Sequence, residues 1–269
     1  MKRSTKYLGI PRDAWIRGIT MVILLGIWEG ASRLGLVSQL MLPAPSKLAA
    51  TLGNLATNGF PQGIIVFTHM RVTIFRILQG YLIGAFVAIP LGLMVGQIAL
   101  LERAVNPIVT FARSIATISL LPLAIAWFGV GELSKVLLIT YAAFWAVLTN
   151  TIQGVRSLDP VYVSVGRMYG ARGVKLFFRV ILPATLPRIF AGMKIALGLC
   201  FMVIIGVEMV GTVQGLGALI QQSRWFYRTD IAIAGTVLIG LFGLAMSLLL
   251  DFLERLLLPW AVGLEEVER

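Results

Sequence analysis

Six apolar stretches set the rhythm of the chain, at residues 16–33, 74–98, 106–127, 134–152, 188–210 and 231–250. A helix needs ~17–25 such residues to cross a hydrocarbon core ~30 Å thick, and these runs meet that length. None alternates apolar and polar residues at every second position, so helices are predicted and barrel strands are not. The second run carries Gly80, Gly84, Ala88, Gly92 and Gly96 at every fourth position. That spacing lets a neighbouring backbone approach closely within lipid. Pro90 in the same run predicts a kink. The first run follows Lys2, Arg3, Lys6, Arg12 and Arg17, holds Trp28 and Glu29, and lacks a small-x-small cleavage site. It reads as a retained span, not a secretory leader.

Two segments between the runs have a pattern of their own. Residues 34–70 are less hydrophobic and contain Leu42-Pro43-Ala44-Pro45-Ser46, a proline-fixed turn after which Ser46 is expected to cap a short surface helix over 47–55. Residues 154–187 are basic and amphipathic, with Arg156, Arg167, Arg172, Lys175 and Arg179 against Asp159. Asp159 is expected to cap a helix that has Pro160 in its first position. Val161, Val165 and Met168 then give that helix an apolar side. Gly170 and Gly173 interrupt it, and a second piece over 174–180 is expected to end before Pro183. Such a helix–Gly–helix element can insert into a groove of a partner or simply follow lipid headgroups.

Composition sharpens the class. Of 269 residues, 58% are hydrophobic and 13% charged, with a mean hydropathy of +0.90. A soluble domain would be ~45–50% apolar and ~25% charged. The expectation is therefore an all-α membrane protein of six transmembrane helices, one domain over 1–269. The net charge of +11 is dispersed among the spans, which argues for topology signals and anionic lipid, not nucleic acid. The N-terminal tail, the turn at 97–106, the loop at 153–194 and the tail after 250 hold 15 Lys and Arg, against 7 in the opposite loops. By the positive-inside rule, the tails (1–15 and 251–269) and the loop 154–187 are cytoplasmic.

Candidate chemistry is sparse. Cys200 and His69 are the only residues of their kinds, so neither an internal disulfide nor a Cys/His metal site can be assembled. Cys200 reads as a packing residue, and His69 as a solvated or interfacial group. No phosphate-cradling G-x-x-x-x-G-K-[ST] run exists, and Gly129-Val-Gly-Glu-Leu-Ser-Lys135 lacks its second glycine. The chain is thus not expected to be an enzyme, to hold a cofactor or metal, or to hydrolyse ATP itself. Charge inside an apolar run is costly and needs a reason. Glu29, Arg113 and Glu208 are such charges; Glu29, near an outer end, could snorkel. Arg113 and Glu208 could pair with each other, or could line a translocation path together with Met209. An Arg facing a cavity would suit an anionic substrate through charge-assisted hydrogen bonds.

The order Gly170, nine residues, then Val180-Ile181-Leu182-Pro183 resembles the cytoplasmic loop signature of ABC importer permeases, E-A-A, three residues, Gly, nine residues, Ile, one residue, Leu-Pro. Ser164-Val165-Gly166 stands where Glu-Ala-Ala would be. Leu42-Pro43-Ala44-Pro45-Ser46, Leu121-Pro122-Leu123, Trp127-Phe128-Gly129-Val130-Gly131-Glu132, Glu208-Met209, Gly215-Leu-Gly217 and Leu258-Pro259-Trp260 extend the likeness to the nitrate/sulfonate/taurine branch, from residue 40 onward. A second departure is Arg113-Ser-Ile-Ala-Thr117, where a more proline-rich run is usual. The resemblance implies a type I importer permease with a coupling helix between spans four and five. Coupling would fall on Asp159, Ser164, Gly166, Gly170, Ala171, Leu182 and Pro183. The implied partners are a second copy of the chain, ATP-binding cassette subunits that carry ATP and Mg, and an external substrate-binding protein, at a bacterial inner membrane. The implied cargo is a small oxyanion such as a sulfonate, taurine, nitrate or bicarbonate. A secondary transporter driven by an ion gradient is the alternative; a membrane enzyme is disfavoured.

Overall fold

The computed structural model describes residues 6–7, 10–61 and 63–260. Lys2 and Arg3 at one end, and Glu265, Glu266, Glu268 and Arg269 at the other, lie outside the described residues. The chain forms helices α1 Arg12–Arg33, α2 Pro45–Thr57, α3 Val66–Gln97, α4 Ala99–Ser114, α5 Leu121–Phe128, α6 Glu132–Arg156, α7 Pro160–Met168, α8 Gly173–Leu176, α9 Leu182–Glu208, α10 Leu216–Trp225 and α11 Thr229–Leu257. A two-residue ladder, Lys6↔Pro11 and Tyr7↔Ile10, precedes α1. The described residues form two compact units, those within 1–68 with 219–237 and those within 69–218 with 238–260.

In the first unit, α1 covers the expected first span. The surface helix is α2, but Ser46 does not cap it. Pro45 takes the first position, so the N-cap falls on Ala44, which has no side-chain acceptor. The cap is supplied from α1 instead. Glu29 accepts the Ser46 N–H at 3.0 Å and the Ser46 hydroxyl at 2.7 Å, and Arg33 pairs with the same carboxylate at 2.6 Å. Glu29 is therefore a negative charge placed at a helix N-terminus, where the exposed N–H groups favour it. Thr51 on α2 donates to Asp230, which Arg228 also holds.

In the second unit, α6 is the central helix. The glycine stripe of α3 lies against it, with constant register. A Cβ on Gly80 would fall 2.6 Å from the Ile139 Cβ, on Gly84 2.8 Å from that of Ala143, and on Gly92 2.7 Å from that of Thr151. Both series rise together, so α3 and α6 run parallel in close backbone contact. On the other side α9 runs antiparallel to α6, with Gly154 against Arg188 and Gly192 against Asn150. Ile139, Ala143, Val147, Ala196, Cys200 and Ile204 are buried in the resulting core. Phe86, Phe111 and Met202 are exposed. Pro90 lies inside α3 without ending it.

Among the described residues four helices are long and apolar enough to cross a membrane, or five if α4 and the helix after it count as one bent span. The expected third span, 106–127, is broken. α4 starts earlier, at Ala99, and stops at Ser114; Ile115 and Ala116 are extended and form an 83° bend; and a 3₁₀ turn, Thr117–Leu120, continues into α5. Pro122 explains the restart. In a continuous helix its ring would meet the carbonyl four residues earlier, whereas in the first turn of a new helix it is harmless. Tyr141 then donates to the Ala112 carbonyl at the break, at 2.6 Å, beside the Ile115 N–H at 3.2 Å.

The fifth span also starts earlier than expected. Pro183 does not terminate the second loop piece; α8, a π-helical turn Phe177–Ile181 and α9 run on as one 36-residue apolar helix. Pro183 sits in the first turn of α9, and the wider π turn before it absorbs its missing N–H.

Candidate functional site

Shortening the loop leaves 157–172 between the long helices α6 and α9, with α7 as its only full helix. Asp159 accepts the Val161 N–H at 2.8 Å, so the cap on α7 forms. Ser164 donates back to the Pro160 carbonyl at 2.9 Å. The other end of α7 closes in a Schellman arrangement. The Gly170 N–H bonds the Arg167 carbonyl and the Ala171 N–H bonds the Gly166 carbonyl, each at 3.0 Å, with Gly170 at φ +78°. A Cβ on Gly170 would meet nothing within 4 Å, so the glycine is there for its backbone conformation. Gly166 is different. It is buried, and a Cβ there would lie 2.9 Å from both Leu176 and Val180. Where the family signature has its second Ala, this chain needs no side chain at all, because α7 folds directly onto the start of the long helix. Ala171 is buried, whereas Val161, Val165, Met168 and Tyr169 are exposed. Leu182 and Pro183 belong to the span, not to the exposed loop.

The second feature is a cavity of about 520 Å³ at the break between α4 and α5. Arg113, in the last turn of α4, is the only charged residue lining it among the described residues. Thr117, Tyr141, Thr149, Asn150 and Gln153 add neutral hydrogen-bonding groups, and Trp145, Leu199 and Met202 supply apolar wall. A guanidinium with amides and hydroxyls around it can receive an anion with several acceptor oxygens.

Glu208 and Met209 do not line this cavity. Glu208, fully buried, does not pair with Arg113; its partner is Arg76, at 2.7 Å. Thr73 donates to both its oxygens at 2.9 Å, and the Gly217 N–H to one of them at 2.9 Å. Arg76 also bonds Glu132 at 2.5 Å and the Gln214 carbonyl at 2.8 Å, and Lys135 pairs with Glu132 at 3.0 Å. Met209 ends α9, and Thr212 donates to the Glu208 carbonyl. Gly215 has φ +133°, and a Cβ there would be 2.4 Å from the Glu208 carboxyl carbon. His69 is buried, not solvated, with its Nδ1 against Gly215. The reason Glu208 prefers Arg76 is position: His69, Thr73 and Arg76 share one face of α3 and meet the turn between α9 and α10.

Residues 88–262 match the family described as the binding-protein-dependent transport system inner membrane component. The aliphatic sulfonates transport permease SsuC of Bacillus subtilis is 31% identical over 253 residues, covering 94% of this chain and 90% of the relative. The chain belongs to that permease family. The taurine transport permease TauC of Escherichia coli is 32% identical over 244 residues, covering 90% and 88%. In fold, the chain resembles a chain of the MetNI methionine ABC transporter in inward-facing conformations, with a TM-score of 0.59 and 20% identity over 70% of this chain and 95% of that one.

The permease's buried ionic cluster escaped the sequence reading apart from Glu208. Arg76 stands at the edge of an apolar run, where it reads as a loop cation. The legible signal was the spacing His69, Thr73, Arg76, three polar residues at i, i+4 and i+7, on one face of the helix.

Proposed function

We propose that this permease passes a small oxyanion, of the sulfonate class, into the cell by alternating access. The transported anion meets Arg113 in the cavity beside the α4–α5 break. The single observation that carries the proposal is that, among the described residues, this cavity is lined by one cation and no carboxylate. The Gln153 amide and the second N–H of Asn150 then donate to further oxygens without adding charge, while the Tyr141 and Thr149 hydroxyls stay on the Ala112 and Trp145 carbonyls. The named cargo of SsuC and TauC supports the same class. Family membership favours energy from an ATPase partner over an ion gradient.

In this reading the chain spans the membrane six times. The 22 residues of α1 give ~33 Å of helix, enough for one crossing; the bent α4–α5 pair is another, and α3, α6, α8–α9 and α11 complete the set. Both termini and the 157–172 loop face the cytoplasm, in keeping with the basic residues there. The exposed apolar side of α7, with Val161, Val165 and Met168, enters a groove of the ATPase, and Gly170 fixes the angle at which it is presented. Asp159, Ser164, Gly166 and Ala171 shape that element, and Leu182 and Pro183 join it to the span. Two copies of the chain, two ATPase subunits carrying ATP and Mg, and an external binding protein make up the working complex, in the bacterial inner membrane.

The test is uptake of taurine by the complex reconstituted with its ATPase and binding protein. Arg113→Ala should abolish uptake while the complex still assembles. Undiminished uptake in Arg113→Ala would remove Arg113 from the path.

A further inference from the structure

A second cavity, of about 280 Å³, lies on the same side of α6 and is lined by Glu102, Asn106, Thr149, Gln153 and Arg156 among others. Thr149 and Gln153 line both cavities, so the two adjoin along one face of the helix. Tyr141, Thr149, Gln153 and Arg156 follow helical spacing there. The fifteen residue steps from Tyr141, level with the end of α4, to Arg156 correspond to ~22 Å of helix. Arg156 is the last residue of α6, next to the 157–172 loop. Its Nη2 donates to Glu102 Oε2 at 2.8 Å, with the two side chains 43% and 21% exposed.

We infer that the Glu102–Arg156 pair is the release site of the oxyanion path, where the travelling anion exchanges with the Glu102 carboxylate. The inference rests on the oxyanion reading above. Arg113 and Arg156 are the cations of the two cavities, with neutral hydroxyl and amide groups between them. A carboxylate and a sulfonate present similar oxygens to a guanidinium, so Glu102 occupies at rest the position the anion takes in transit. Exposed pairs are weak, and this one raises the anion concentration needed at Arg156 only about two- to fivefold. Exchange is therefore easy in both directions. Once displaced, Glu102 is a negative charge beside the anion, and its return to Arg156 frees the anion on the cytoplasmic side. Glu102 acts as a positioning residue here and Arg156 as the contact. A purely structural pair would tie α4 to α6 and would be indifferent to anions.

The two readings separate by chemical protection of the complex purified with its ATPase, without nucleotide. Phenylglyoxal modifies accessible guanidinium groups, and peptide mass spectrometry reads Arg113 and Arg156 in one digest. Methanesulfonate is the probe, with dimethyl sulfone at equal concentration as the neutral control. Methanesulfonate should slow modification of Arg156. In Glu102→Gln, or in Glu102→Ala if the former fails to assemble, about two- to fivefold less methanesulfonate should give the same protection. Equal protection in wild type and variant, or none at Arg156, would overturn the release site. Protection of Arg113 with none at Arg156 overturns this inference and leaves the oxyanion path standing. Protection of Arg156 alone, shifted in the variant, supports the release site and removes Arg113 from the path. Absence of protection at both overturns both.

Discussion

Replacing Arg76 by Met should be among the most damaging single changes in the second unit, and the damage should be reversible by a second change. Arg76 holds the fully buried Glu208 at 2.7 Å, the Glu132 carboxylate at 2.5 Å and the Gln214 carbonyl at 2.8 Å. Removing it leaves a carboxylate in the interior with Thr73 and the Gly217 N–H but no cation. Breaking a buried pair from one side costs about 3–5 kcal/mol. That is two to three and a half orders of magnitude, roughly, in the folding equilibrium, against a total stability of ~5–15 kcal/mol. Glu208→Gln in the Arg76→Met background removes the stranded charge. Its amide oxygen still accepts from Thr73 and Gly217, and Glu132 keeps Lys135 at 3.0 Å. The double variant should therefore recover about 2–3 kcal/mol relative to Arg76→Met. Thermal melting of the purified complex, followed by the fraction surviving size exclusion, reads the difference. A double variant no more stable than Arg76→Met would refute the claim that an uncompensated Glu208 charge is what the single change creates.

Gly84→Leu should weaken the α3–α6 contact by about 1–3 kcal/mol or more, because the new Cβ would fall 2.8 Å from both the Ala143 Cβ and the Thr140 carbonyl; the yield of folded permease and its melting temperature measure this. Gly170→Val should leave the spans intact, since a Cβ there meets nothing, yet a β-branched residue at φ +78° costs about 1–2 kcal/mol in this conformation and re-aims α7. Its expected result is normal insertion with loss of ATPase stimulation by loaded binding protein.

Much of the fold was legible because lipid-scale helices declare themselves by length, and because the small-residue stripe of α3 has one efficient use. The register of Gly80, Gly84 and Gly92 on Ile139, Ala143 and Thr151 is that use realised. The Asp159 cap was likewise local and readable. What escaped depends on three-dimensional partners. A Pro in an apolar run can end a helix, start one or sit inside it, and Pro122, Pro183 and Pro90 do something different in each case. Pro122 restarts a helix after an 83° bend, whereas Pro183 continues a 36-residue one. Ser46 reads as a cap in sequence, but Glu29 from another helix takes the role. The partner of Glu208 was misassigned for a related reason. Arg113 is the more conspicuous intramembrane cation in sequence, while Arg76 is brought in by the face it shares with His69 and Thr73.

The central claim is that this permease carries a small oxyanion under ATP power supplied by a partner. Proteoliposomes containing the complex, with loaded taurine-binding protein outside, separate the driving forces directly. The expected result is taurine uptake when ATP is enclosed, and none when only a proton or sodium gradient is imposed. Uptake sustained by the gradient without ATP would contradict the account.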